Sequence, residues 1–150
     1  MEMQKQIPKI EVSFHPSRQG ESRLYVKESK EVASVFLECW NLDTIELYEE
    51  FKVLYLDRKN GIIGIRDLNR GTQDGVIVDI KLLVSVGLLC NCSSVIVAHN
   101  HPSGALTPSN NDLELTKKLE KALRLFDLNL IDHVILTKNS YLSFADEGKI

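Results

Sequence analysis

The sequence predicts an α/β fold, a mixed central sheet flanked by helices, and three observations carry that prediction. Runs of strand-like apolar density alternate with runs whose apolar residues recur at helical spacing. Two of the strand-like runs, Phe51–Asp57 and Ile62–Leu68, are joined by Arg58-Lys59-Asn60-Gly61, and Asn-Gly between apolar runs is a strong hairpin signal. The 150 residues, 43% of them apolar, suffice for one domain with a real core.

The elements follow in order. Lys9–Phe14 alternates enough for a short strand, and His15–Gly20, with Pro16 and Gly20, reads as a loop that leaves His15 solvated. Leu24–Val26 is a second short strand. Ser29 opens an amphipathic helix in which Val32, Val35, Phe36, Cys39 and Trp40 share a face. Asn41–Leu47 is a connector into the central hairpin. Beyond the hairpin, Gly71–Gly75 reads as a turn and Val76–Val78 as a short extended piece. Ile80–Leu89 has the apolar density of a helix packed on a sheet. Ser94–Ala98 is a buried strand. Ser109 is the N-cap of a long helix with Leu113, Leu115, Leu119, Ala122, Leu123 and Phe126 inward. Lys117, Lys118, Glu120, Lys121 and Arg124 take its solvent side. Leu130–Leu136 and Tyr141–Phe144 complete the sheet.

A formal net charge of −3 argues against a chain built mainly to grip nucleic-acid phosphates. No apolar run approaches the roughly 20 residues of a membrane span, and the N-terminal stretch lacks an apolar signal core, so a cytoplasmic location is expected. Cys39, Cys90 and Cys92 are odd in number, and a single residue separates the last two, shorter than most structural zinc hooks. All three are expected to be free thiols, buried or partly buried.

Chemistry concentrates in Ala98-His99-Asn100-His101-Pro102-Ser103-Gly104 and the following Thr107-Pro108-Ser109-Asn110-Asn111-Asp112. His99 and His101 sit at a strand end, where a period of two points them the same way. Pro102, Ser103 and Gly104 break the strand. With Ser109 as N-cap, Asp112 is the third helical residue, and the helix start carries its carboxylate back toward the imidazoles. Two neutral imidazoles and one carboxylate are a standard set for catalytic zinc, with a fourth position left for water. Such a hydrolase also needs a proton carrier outside the metal shell and a donor for the developing oxyanion. Glu49 and Glu50 enter the first central strand, and Ser109 lies beside Asp112. Asp112 and Ser109 also fit a capping box, a role compatible with ligation. His133, after Asp132, reads as a strand-start residue near the core rather than a ligand.

The pattern His99-x-His101, seven intervening residues, then Ser109-x-x-Asp112 resembles the JAMM motif of the JAB/MPN metalloprotease superfamily. The string AHNHPSG, with PSNND, DHVIL and YLSFADEG, resembles the RadC-like bacterial branch, from about Leu47 to the C-terminus. The resemblance implies a three-layer, cytidine-deaminase-like arrangement. It implies zinc held by His99, His101 and Asp112, a glutamate as general acid and base, and Ser109 as oxyanion stabiliser. In the RadC-like frame the acid lies two residues before the aromatic that opens the strand, which selects Glu49. A one-residue shift of register would exchange it with Glu50. Ser103 is a candidate for substrate contact. Asn100 stands where the eukaryotic peptidase branch has Ser or Thr, and Asn is what the RadC-like branch has.

Full-length RadC-like proteins usually carry an N-terminal helix-hairpin-helix region, and the first 45 residues show no such hairpin. The expectation is a stand-alone domain: 1–46 as a strand and helix segment packed on it, 47–150 as the metal-binding part. The activity implied is zinc-dependent cleavage of an amide bond, as a peptidase or isopeptidase acting on a protein or peptide. The alternative is a RadC-like binding module tied to DNA repair or a mobile element, with zinc as structure; steep salt dependence of affinity would mark it. A scaffold role, as in superfamily members without ligands, is disfavoured because every ligand position is filled.

Overall fold

Side chains alternate along the central strands and sort the core onto two faces of a single sheet. The computed structural model of the chain describes residues 7–15, 23–71 and 77–150. Its elements are α1 (Ser29–Glu38), β1 (Glu50–Leu56), β2 (Ile62–Arg70), α2 (Ile80–Leu89), β3 (Ser94–Asn100), α3 (Asn110–Arg124), β4 (Asn129–Leu136) and β5 (Tyr141–Ser143). The sheet order is β2-β1-β3-β4-β5. Only β3 and β4 run parallel, joined through α3; the other pairs are antiparallel. The fold is therefore α/β with a mixed sheet, as the sequence predicts.

One face of the sheet packs Leu54, Leu56, Ile96, Ala98, Val134 and Leu136 against α1 and the following Trp40 and Ile45. The other packs Phe51, Val53, Tyr55, Val95 and Val97 against Leu83 and Val84 of α2 and Leu119 and Leu123 of α3. Helices on both faces make three layers. β3 is buried along its whole length, as expected of a central strand covered on both sides. Helix α2 approaches closely at Gly87, where a Cβ would meet Cys92 Sγ at 3.2 Å.

The hairpin turn falls where Asn-Gly placed it. Asp57 Oδ1 accepts from Lys59 N at 2.8 Å and Gly61 N at 2.9 Å, and Asn60 takes the left-handed conformation, φ 62°. Helix α2 begins as drawn from its apolar density, with Asp79 accepting from Leu82 N.

Several expectations are corrected. Lys9–Phe14 is not a strand: Ile10, Val12 and Phe14 are exposed, and the segment pairs with no strand among the described residues. Strand propensity without a paired neighbour does not form a ladder. Leu24–Val26 contributes only an isolated bridge, Tyr25 to Gly61. Ile77 and Val78 are irregular; Val76 and residues 72–75 of the expected turn lie outside the described residues. Helix α1 stops before Cys39, which is exposed at its C-cap, whereas Cys90 is half-buried and Cys92 buried. Helix α3 stops before Phe126, which is half-exposed. Asp127 turns left-handed (φ 57°), and Leu128 N returns to Leu123 O at 3.0 Å, closing the helix end. His133 lies inside β4, not at its start.

Candidate metal centre

β3 delivers His99 to the α3 face, in phase with Val95 and Val97, and turns Asn100 to the α1 face. His101 follows the strand end, where its N–H donates to Leu136 O at 2.9 Å. The loop then closes on itself: Gly104 N donates to His101 O, with Gly104 at φ 81°, a conformation that favours glycine. His101 Nδ1 donates to Ala105 O at 2.6 Å, which fixes the ring and, in its neutral form, leaves Nε2 bare. Helix α3 then begins with a capping box. Ser109 Oγ accepts from Asp112 N at 3.1 Å, and Asp112 Oδ2 accepts from Ser109 N at 2.8 Å.

These elements bring three donor groups together. His99 Nε2 lies 2.9 Å from His101 Nε2 and 3.3 Å from Asp112 Oδ1; His101 Nε2 lies 3.4 Å from Asp112 Oδ2. All three side chains offer one ligand atom within 4.8 Å of the others. Donors bound about 2.0–2.2 Å from a shared zinc ion in a tetrahedron stand about 3.3 Å apart. The spacing and the chemistry of the set, two imidazoles and one carboxylate, therefore fit a divalent ion. Burial disfavours the charged form of Asp112, but its contacts with the His101 and His99 imidazoles and the hydrogen bond from Ser109 N outweigh it and hold the carboxyl well below its ordinary range. Burial also opposes a charged His101, yet its bonds to Asp112 and the Ala105 carbonyl raise it above the ordinary imidazole value, with Glu49 adding to the pull.

The cluster opens into a cavity of about 470 Å³. Glu49, Ser103 and Ser109 line it with His99, His101 and Asp112. Glu50 lines a different cavity, with Tyr48 and Asp67. The backbone reason is the alternation at the start of β1: Phe51 faces His99, and Glu50 turns the other way. Ser109 uses a lone pair of Oγ for the cap, so its hydroxyl hydrogen stays available to an acceptor in the cavity.

Three further residues shape the site: motif reading takes Asn100 only as a mark of the RadC-like branch, places His133 near the core with no role in the site, and does not name Thr116. Asn100 is fully buried. It accepts from Glu50 N at 2.7 Å and donates to Ile45 O and Tyr48 O at 2.6 and 2.9 Å, pinning the segment that carries Glu49. His133 is also fully buried, stacked on Phe144 and edge-on to Phe51, with Nε2 2.7 Å from His99 Nδ1. Burial, with the neighbouring His99, pushes its pKa well down, so the ring is neutral. Thr116 Oγ1 meets His133 Nδ1 at 2.7 Å. Strand pairing, which the sequence pattern does not disclose, places His133 on the α3-facing side of β4, beside the strand that carries His99.

The chain is thus an α/β protein of the class whose strand end and helix start gather a His-His-Asp cluster that could hold a metal ion. Within that class, the RadC-like JAB domain family model matches residues 26–149, and the chain belongs to this family. The match begins ahead of the motif-bearing region and takes in α1, whose apolar face completes one side of the core. A UPF0758 protein of Flavobacterium johnsoniae is 43% identical over 101 residues, 67% of this chain and 44% of that protein. A UPF0758 protein of Fusobacterium nucleatum is 43% identical over 105 residues, 70% of this chain and 45% of its own length. A third, from Pseudomonas syringae pv. tomato, is 41% identical over 103 residues, 69% and 46% respectively. The chain thus spans less than half the length of the curated relatives it matches. No helix among the described residues is long and apolar enough to cross a membrane.

Proposed function

We propose that the domain is a zinc-dependent hydrolase of amide bonds, a peptidase or isopeptidase working on a protein or peptide in the cytoplasm. The observation that supports it is the convergence of His99 Nε2, His101 Nε2 and an Asp112 oxygen on one point at the floor of a cavity that Glu49 and Ser109 also line. Zinc held by these three side chains would supply Lewis acidity, lowering the pKa of water to about 7 and polarising a carbonyl. The rest of the chemistry falls to the chain. Glu49 takes a proton from the attacking water and returns it to the leaving amine nitrogen. Ser109 Oγ–H donates to the carbonyl oxygen as negative charge develops there. Ser103 contacts the substrate at the cavity wall.

The test combines metal content with turnover. Protein purified without added metal or a polyhistidine tag should carry about one zinc per chain. Peptide and isopeptide panels should then reveal hydrolysis that a chelator removes and zinc restores. Glu49→Gln should keep the zinc and lose activity. A fully active Glu49→Gln, or a wild-type chain that takes up no metal, would sink the assignment.

A further inference from the structure

We propose that Thr116 and His133 are positioning residues that lock the His99 imidazole in the tautomer with its proton on Nδ1 and a bare Nε2 facing Asp112 and His101. The purpose of the device rests on the metal reading above; its geometry stands on hydrogen bonds alone.

The direction of each bond follows from counting hydrogens. Thr116 has one hydroxyl hydrogen, and it is donated to the Asp112 carbonyl oxygen at 2.7 Å. Toward His133, 2.7 Å away, Thr116 Oγ1 therefore acts as acceptor, and His133 Nδ1 carries the proton. His133 is sealed between Phe51 and Phe144 with no solvent exposure. A second proton would bury a cation there at a cost that no direct carboxylate contact offsets. Its Nε2 is accordingly bare and accepts from His99 Nδ1 at 2.7 Å. The His99 proton is thus committed to the core, and Nε2 presents a lone pair to the donor cluster.

The chain of bonds closes on itself. It starts at the main-chain carbonyl of Asp112, runs through Thr116, His133 and His99, and ends opposite the Asp112 carboxylate. One residue at the start of α3 thereby supplies a donor atom and anchors the wiring that orients another. His101 obtains the same tautomer from a separate source, the Ala105 carbonyl. Ligating histidines typically depend on such outer partners, whose removal costs about 10–100-fold in metal affinity.

Nitrogen NMR of the imidazoles in the metal-free, full 150-residue chain reads the tautomers directly. The expected result is a proton on Nδ1 and a bare Nε2 in both His133 and His99. A proton on His133 Nε2 with Nδ1 bare would overturn the proposal. Zinc affinity, read by competition with a chromophoric chelator, is the second arm. Thr116→Val keeps the shape and removes the acceptor; it should weaken zinc about tenfold or more, while Thr116→Ser stays within about twofold of wild type. Wild-type affinity in Thr116→Val would overturn the proposal, because a merely structural threonine moves stability and not affinity. A wild-type chain that binds no zinc, yet shows the expected tautomers, would remove the metal reading and leave the wiring standing.

Discussion

His99 and Asn100 are neighbours on β3, both polar and both buried, and they end in opposite chemistry. The Asn100 amide faces α1 and spends its oxygen and both amide hydrogens on three main-chain groups of the 45–50 segment. The His99 ring faces α3. Its Nδ1 is paired with His133, but its Nε2 meets another imidazole nitrogen and a carboxylate oxygen, both rich in lone pairs. A buried polar group whose neighbours complement it is scaffold. A buried group whose neighbours repeat its own lone pairs calls for a cation between them. The strand's alternation alone separates the two cases by one residue.

The comparison breaks most directly by substituting each side of it. His99→Ala with His101→Ala should take zinc from about one per chain to none, measured by elemental mass spectrometry. Asn100→Ala should leave zinc content unchanged. It strands Glu50 N–H and the Ile45 and Tyr48 carbonyls, at roughly 1–3 kcal/mol for each group left unsatisfied. The melting temperature should fall by about 2–4 °C for each kcal/mol lost in a domain of this size. Loss of zinc in Asn100→Ala would mean that the two faces are not separable.

The acidic pair sharpens the same point, since Glu49 and Glu50 also part to opposite faces. Glu49→Gln should lower turnover by about 10²–10⁴-fold, the usual worth of a positioned acid or base. Glu50→Gln should leave the rate within about twofold of wild type, since its carboxylate lies outside the site cavity. Equal losses in the two variants would return the assignment to an open register.

Ser109 caps α3 and is proposed to donate to the developing oxyanion, and glycine separates the two roles. Ser109→Ala should cost about 1 kcal/mol of stability through the lost cap, whereas Ser109→Gly should cost only a few tenths. Both should lower turnover by about 10²–10³-fold through the missing hydroxyl donor. A Ser109→Gly variant at wild-type rate would reduce Ser109 to a cap.

The sequence made the site legible because its residues are local: His99, His101, Ser109 and Asp112 fall within fourteen positions, on a strand end and a helix start whose periods fix direction. Helix α2 and the Asn60-Gly61 turn were equally local and read true. What stayed hidden depends on pairing. His133 and Thr116 join the site only because β4 lies beside β3 and α3 packs over both. Asn100 becomes a clamp only because the 45–50 segment passes in front of it. The misread strand at Lys9–Phe14 fails for the mirror reason, an alternating pattern that no neighbouring strand completes.

The smallest effect to look for is a proton competing for the point where the lone pairs meet. His101 Nδ1 is already committed to Ala105, so a second proton on that ring must take Nε2, the atom offered to the ion. The folded value of His101 lies above the ordinary 6.5, pulled up against burial by Asp112 and the Ala105 carbonyl. As pH falls through that raised value, zinc affinity should decline by up to about tenfold per pH unit, with one proton released per ion bound. Asp112, held far down, should add no second proton in this window. The metal-free protein should show the opposite sign. A raised histidine stabilises the fold fully below its unfolded value, and that contribution is lost as pH rises through the folded one. Above pH 6.5, where the buried neutral His133 no longer changes its proton count on folding, chelator competition and thermal melts should therefore run in contrary directions. Zinc affinity flat across that range would place the competing proton elsewhere than on His101.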